Sequence, residues 1–192
     1  DRYPDSDDIS TDHRVLYYDI EVEVTDGFPE PAQAPNKITS IAFQTSHDEK
    51  SYVYILGDRK DTIKDGTSIK FFRNEKDLLQ EFLRFWIDLK PTIISGWNID
   101  QFDTPYLYNR ISKIFGEDFA NALSPIQQVR YNQNKKKYRI AGISSLDYIE
   151  LYRKFTYVQR SSYRLDVIGQ IEVNMGKVEY EGTLDQLLEN DI

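Results

Sequence analysis

Cysteine is absent from this chain, which removes disulfides, thiolate metal sites and cysteine nucleophiles together. Histidine is scarce: His13 and His47 are the only two, too few for a histidine metal cluster, and both read as peripheral. No stretch approaches the ~18 apolar residues of a membrane span, and Asp1 to Asp12 lacks the basic-then-apolar order of a signal peptide. The expectation is a cytoplasmic protein with no membrane partner. Its chemistry has to rest on carboxylates.

What is present suffices for a core. Hydrophobic residues make up 40% of the chain and charged residues 29%, a balance unlike that of a disordered tail. The 192 residues suit one domain, for which ~100–150 is typical. A net charge of −8 taken whole argues against nucleic-acid binding, but the charge is unevenly spread. From Gln127 to Arg164 nine Lys or Arg stand against two acids, a surplus of seven, which leaves −15 for the remainder. That segregation predicts one basic region able to meet phosphates and a carboxylate-rich body.

The run from Arg14 to Val24 alternates with period two and is rich in β-branched and aromatic residues, so it predicts a strand. Lys37 to Thr45 and Ser51 to Leu56 predict two more, forming a meander after a loop fixed by Pro29, Pro31 and Pro35. Asn74 to Leu89 predicts a helix capped by Asn74, with Leu78, Leu79, Phe82, Leu83, Trp86 and Leu89 on its buried stripe. Pro91 to Ser95 reads as a buried strand, and a second helix starts at Thr104 and Pro105 and ends at Gly116. Gln127 to Ala141 predicts a protruding β-hairpin with its turn around Asn132 to Lys137. Asp147 to Tyr157 predicts a helix whose rings Tyr148, Tyr152 and Phe155 belong to the core, and Trp86 and Trp97 read as packing residues. Arg164 to Val173 and Thr183 to Glu189 are weaker helical segments, the last opened by a Thr183–Gln186 capping box. Strands followed by helices returning to a further strand define an α/β fold with a mixed sheet.

Strand alternation places Asp19 and Glu21 on one face, close enough to grip one divalent cation. A solvated edge strand would carry acids in the same way. Here the strand is apolar enough to be central, where two carboxylates repel and resist desolvation unless a cation lies between them. The segment Asn98 to Asp103 falls where a strand turns into a helix, the favoured position for ligands in α/β sheets. Asp103 there is either a third metal ligand or a simple cap of the first helical amides.

Taken together, Asp19-Ile20-Glu21, then Gly96-Trp97-Asn98-Ile99-Asp100-Gln101-Phe102-Asp103, then Leu146-Asp147-Tyr148, resemble the exonuclease domain of family B DNA polymerases, most of all those of T-even-type bacteriophages. The resemblance runs from about Arg14 to Leu187. It implies a ribonuclease-H-like fold, with residues 1–13 as an N-terminal extension and 14–192 as the exonuclease domain. It also implies that Asp19, Glu21 and Asp103 are catalytic residues binding two divalent cations, Mg²⁺ or Mn²⁺, for 3′-to-5′ proofreading. The implied partners are the single-stranded 3′ end of a DNA primer, the other polymerase domains and, through them, a sliding clamp; the implied location is the cytoplasm of a phage host.

The family's third motif, a tyrosine four residues before an aspartate, has no counterpart: Leu187 precedes Asp191 by four. A chain truncated before that motif is expected to have little or no nuclease activity and no polymerase activity. The candidate DNA contacts are Asn98 and Phe102 at the second motif and Arg130, Tyr131, Lys135, Lys136, Lys137 and Tyr138 on the hairpin, where cations follow phosphates and rings stack on bases. The competing readings are core packing for Phe102 and a solvated edge for the lysines. A non-catalytic DNA-positioning module of the same fold is the alternative function.

Overall fold

A computed structural model describes residues 12–176, apart from 25, 26, 28 and 49. Five strands open the chain: β1 (Val15–Val22), β2 (Ile38–Thr45), β3 (Ser51–Leu56), β4 (Thr62–Lys64) and β5 (Thr67–Phe72). Then come α1 (Glu75–Leu89), β6 (Ile93–Gly96), α2 (Asp103–Phe115) and α3 (Glu117–Asn121). The chain continues through β7 (Val129–Asn132), β8 (Lys137–Ile140), β9 (Ser144–Asp147), α4 (Tyr148–Phe155) and α5 (Leu165–Val173). Seven strands form one sheet in the order β4-β5-β3-β2-β1-β6-β9, and β7-β8 form a separate two-stranded sheet. The expected mixed sheet, flanking helices and hairpin are all present. The proposed helix at Thr183 to Glu189 lies outside the described residues. Among the described residues no helix is long and apolar enough to cross a membrane.

β1 to β3 pair antiparallel as the expected meander, whereas β6 joins β1 in parallel and β9 joins β6 in parallel. The α1 crossover between β5 and β6 makes the parallel join possible, because parallel neighbours need a long connection. Its start is fixed by Asn74, whose side chain accepts from the Asp77 amide at 2.9 Å. Leu78, Leu79, Phe82 and Trp86 on its inner face are buried against Tyr18 and Phe43 of the sheet, with the Phe43 and Phe82 ring centroids 5.2 Å apart.

A buried ion pair fastens the helices to the proline loop. Arg110 of α2 meets Glu75 of α1 through Nε and Nη2 at 2.8 and 2.7 Å. The Arg110 Nη1 also donates to the carbonyls of Ala34 and Pro35, and Glu75 accepts from the Ile38 amide at 2.8 Å. Every nitrogen of the fork donates a hydrogen bond, the condition under which a buried pair is tolerated.

Four elements, β4, β5, β9 and α4, differ from the sequence reading. The connection around Gly57 and Gly66 contains β4 and β5, with β5 parallel to β3. Ser144–Asp147 is an edge strand, so Asp147 caps α4 while ending β9. The rings of α4 are not core: Tyr148 is 55% and Phe155 67% exposed, and α4 has no buried residue. Periodicity marks an apolar face, but the elements beside α4 cover it only in part.

Candidate active site

β1 is bonded along its whole length to β2, but its partner on the other side, β6, pairs only with Val15 to Tyr17. Beyond that point the chain leaves the sheet at Gly96, where a Cβ would lie 2.6 Å from the Tyr18 carbonyl oxygen and 2.5 Å from Ile99. Only glycine permits the approach. The turn that follows has Asn98 at φ 66°, a left-handed conformation that asparagine tolerates better than most residues.

The same turn delivers Asp103 to the place where the β1–β6 ladder stops. Asp103 is 3% exposed, and its Oδ1 accepts from the Ile20 amide at 2.9 Å, replacing the strand partner that β6 no longer offers. Asp19 and Glu21, on either side of Ile20, point to the solvent-accessible face. Burial, reinforced by the nearby Asp19 carboxylate, pushes the Asp103 carboxyl up to about 7, against the pull of main-chain amides. Burial also raises Asp19. The two acids therefore influence each other, and the Asp103 side chain, at the start of α2, is turned toward β1.

Asp19 and Glu21 line a cavity of about 1060 Å³ together with Asn98, and Arg153 and Arg164 border it from the side of α4 and α5. The Arg153 guanidinium lies 4.4 Å from the centre of the Tyr163 ring. Trp97 donates through its indole nitrogen to the Tyr163 carbonyl at 3.1 Å, which holds the segment before α5 to the second-motif turn. The cleft thus sets carboxylates against arginines, an arrangement able to bind a phosphodiester beside a cation.

Residues with only oxygen donors, one of them buried beside a second carboxylate, fit a hard divalent ion in kind. The set is not closed: among the described residues no group of three or more carboxylate or histidine side chains is gathered to hold one ion.

The turn has a support that sequence reasoning did not identify. Asp147, 3% exposed, accepts from the amides of Asn98 at 2.8 Å, Asp100 at 3.0 Å and Ile149 at 3.1 Å. Burial raises its carboxyl despite those bonds. The advance signals were its place at the start of a predicted helix and within Leu146-Asp147-Tyr148, neither of which says which amides it meets. Phe102 is half-buried and packs on Tyr106, with ring centroids 5.5 Å apart.

The hairpin divides in two. Arg130, Tyr131, Lys135 and Lys136 are exposed. Lys137 and Tyr138, expected among the DNA contacts, are engaged within the protein: Lys137 Nζ is 2.6 Å from Asp100 Oδ2, and the Tyr138 hydroxyl donates to Asn109 at 2.9 Å. The Tyr138 ring lies 4.9 Å from that of Tyr108.

A three-two-one antiparallel meander joined in parallel to two further strands, with acids on the strand where the antiparallel and parallel parts meet, is the arrangement of a ribonuclease-H-like fold. The chain belongs to the family described as DNA polymerase family B, exonuclease domain, whose model matches residues 2–168. It is 39% identical to the DNA-directed DNA polymerase of Escherichia phage RB69, over 96% of this chain and 24% of that protein. Identity to the DNA-directed DNA polymerase of Enterobacteria phage T4 is 35%, over 93% of this chain and 23% of the relative. A human herpesvirus 8 DNA polymerase catalytic subunit is 26% identical over 82% of the chain. The chain spans about a quarter of the length of the phage relatives it matches.

Proposed function

We propose that this chain is the proofreading part of a replicative DNA polymerase, removing mismatched nucleotides from the 3′ end of a primer and releasing nucleoside monophosphates. The observation that carries the reading is the Asp103 carboxylate bonded to the Ile20 amide between Asp19 and Glu21. Acids from separated parts of the chain converge there, although nothing in the sheet itself requires it.

In this reading Asp19, Glu21 and Asp103 hold two Mg²⁺ or Mn²⁺ ions. Such ions, when bound, make a water nucleophilic and stabilise charge on the reacting phosphate. The protein's own part is to place the substrate. Arg153 and Arg164 offset phosphate charge across the cleft, Asn98 meets the terminal nucleotide, and Arg130, Tyr131, Lys135 and Lys136 guide the single strand. Selectivity needs no base readout, because a mismatched end unpairs at lower cost. The remaining polymerase domains and a sliding clamp complete the working assembly, in the cytoplasm of the host cell. With no group of three or more carboxylate or histidine side chains gathered among the described residues, the 192-residue chain is expected to trim a primer far more slowly than an intact polymerase.

Titrating the chain with Mn²⁺ tests the reading. Saturable binding that disappears in Asp19→Ala supports it. A wild-type chain that binds single-stranded DNA but no Mn²⁺ points instead to a non-catalytic DNA-positioning module.

A further inference from the structure

One buried carboxylate has no part in the proposed hydrolysis yet ties the second-motif turn to two strands, β8 and β9. Asp100 is 2% exposed and lies three positions before Asp103 in the same turn. Its Oδ2 is 2.6 Å from Lys137 Nζ on β8, its Oδ1 accepts from the Ser145 hydroxyl on β9 at 2.6 Å, and its amide donates to Asp147 at 3.0 Å. Lys137 is the hairpin's inward anchor: its side chain is 24% exposed, and Glu150 of α4 approaches its ammonium at 3.8 Å. The hydrogen bond to Asp100 raises the Lys137 ammonium above its ordinary value, so the lysine keeps its charge at neutral pH.

The turn around Asp100 is stiff. The amides of Gln101 and Phe102 both bond to the Asn98 carbonyl at 3.2 Å, and that of Thr104 bonds to Ile99 at 2.9 Å. A shift of the Asp100 side chain is therefore passed to Asp103 rather than absorbed between them. A carboxylate this deep also cannot lose its cation quietly, because an unpaired buried charge is strongly unfavourable.

We propose that Asp100 is a positioning residue, through which Lys137 of the hairpin fixes the turn that presents Asn98 and Asp103 to the carboxylate site. The inference rests on the exonuclease reading of that site. It gives the hairpin a second role besides offering cations to DNA: its base sets the geometry of the acids. Lys137 is accordingly a part of the site's frame, while its neighbours Lys135 and Lys136 remain on the surface.

The test compares Lys137→Met, Lys137→Arg, the double variant Asp100→Asn with Lys137→Met, and Arg139→Met, which removes a cation from the same strand. Amide hydrogen exchange across residues 98–104 and Mn²⁺ affinity are measured on the full chain. Lys137→Met is expected to speed exchange in the turn and to weaken Mn²⁺ binding by at least about tenfold, the usual cost of losing an outer partner of a ligand. Lys137→Arg restores both in large part, the neutral double variant lies closer to wild type than Lys137→Met does, and Arg139→Met changes neither. Unchanged exchange in Lys137→Met overturns the proposal, as does faster exchange with unaltered Mn²⁺ affinity. Equal effects from Lys137→Met and Arg139→Met overturn it too, since hairpin charge alone would then be responsible. A wild-type chain that binds no Mn²⁺ defeats the exonuclease reading, and the positioning role with it; in that case faster turn exchange in Lys137→Met shows a purely structural tie.

Discussion

The Asp103 carboxylate accepts the amide hydrogen of Ile20 at 2.9 Å while burial, reinforced by the nearby Asp19 carboxylate, raises its proton affinity. The native state therefore holds a proton on Asp103 up to about pH 7, whereas an unfolded aspartate releases it near ~3.9. Between these values the folded chain binds more protons than the unfolded one, so stability falls as pH rises through the interval. Below it no penalty exists, and above it the penalty is complete, at up to about 4 kcal/mol. Asp103→Asn keeps an acceptor for Ile20 and cannot ionise. It is expected to raise the melting temperature at pH 8 and to leave it nearly unchanged at pH 4, as read by calorimetry. A variant less stable than wild type at pH 8 would show that the charge is already compensated.

Arg110 is expected to be the costliest single cation to remove. Arg110→Met strands the Glu75 carboxylate, whose side chain is 8% exposed, and should destabilise the chain by about 3–5 kcal/mol. Urea unfolding measures this. A loss under about 1 kcal/mol would mean that water reaches Glu75 at little cost.

Replacing Asp147 by alanine deprives the amides of Asn98, Asp100 and Ile149 of their acceptor. A loss of at least about 2 kcal/mol follows from unsatisfied buried donors and a lost helix cap. Mn²⁺ affinity should drop in parallel, because the turn no longer holds its shape. Full affinity in Asp147→Ala would separate the turn from the carboxylate site.

On the hairpin, replacing both Lys135 and Lys136 by alanine should weaken binding of a single-stranded oligonucleotide without altering thermal stability. The slope of log affinity against log salt should shrink by about 1 to 1.5, as expected for two lost phosphate contacts. Tyr131→Ala should cost about 1–3 kcal/mol in the same assay if the exposed ring stacks on a base. Unchanged affinity in both variants would remove this face from the DNA path.

Much of the frame was legible because its signals are local. The alternation in β1, the Asn74 cap and the apolar stripe of α1 each follow from side-chain direction within one element. Asp19 and Glu21 were legible for the same reason. β5 escaped notice because Thr67 to Phe72 lacks clean alternation, and β9 because four residues with two serines look like a loop. The rings of α4 misled because an apolar stripe does not say what covers it. The Asp100–Lys137 pair lies beyond such reasoning altogether: the partners are 37 positions apart, and only the fold brings them together.

The order of the sheet also implies a sequence of events during folding. β1 meets β2 across a modest loop, whereas β6 must return past β3, β4, β5 and α1 before Ile93 can pair with Val15. Closing larger loops costs more chain entropy and slows the step that needs them. The strand bearing Asp19 and Glu21 can thus be in place before Asp103 arrives, and competence for metal binding should trail the growth of sheet signal in a stopped-flow refolding trace.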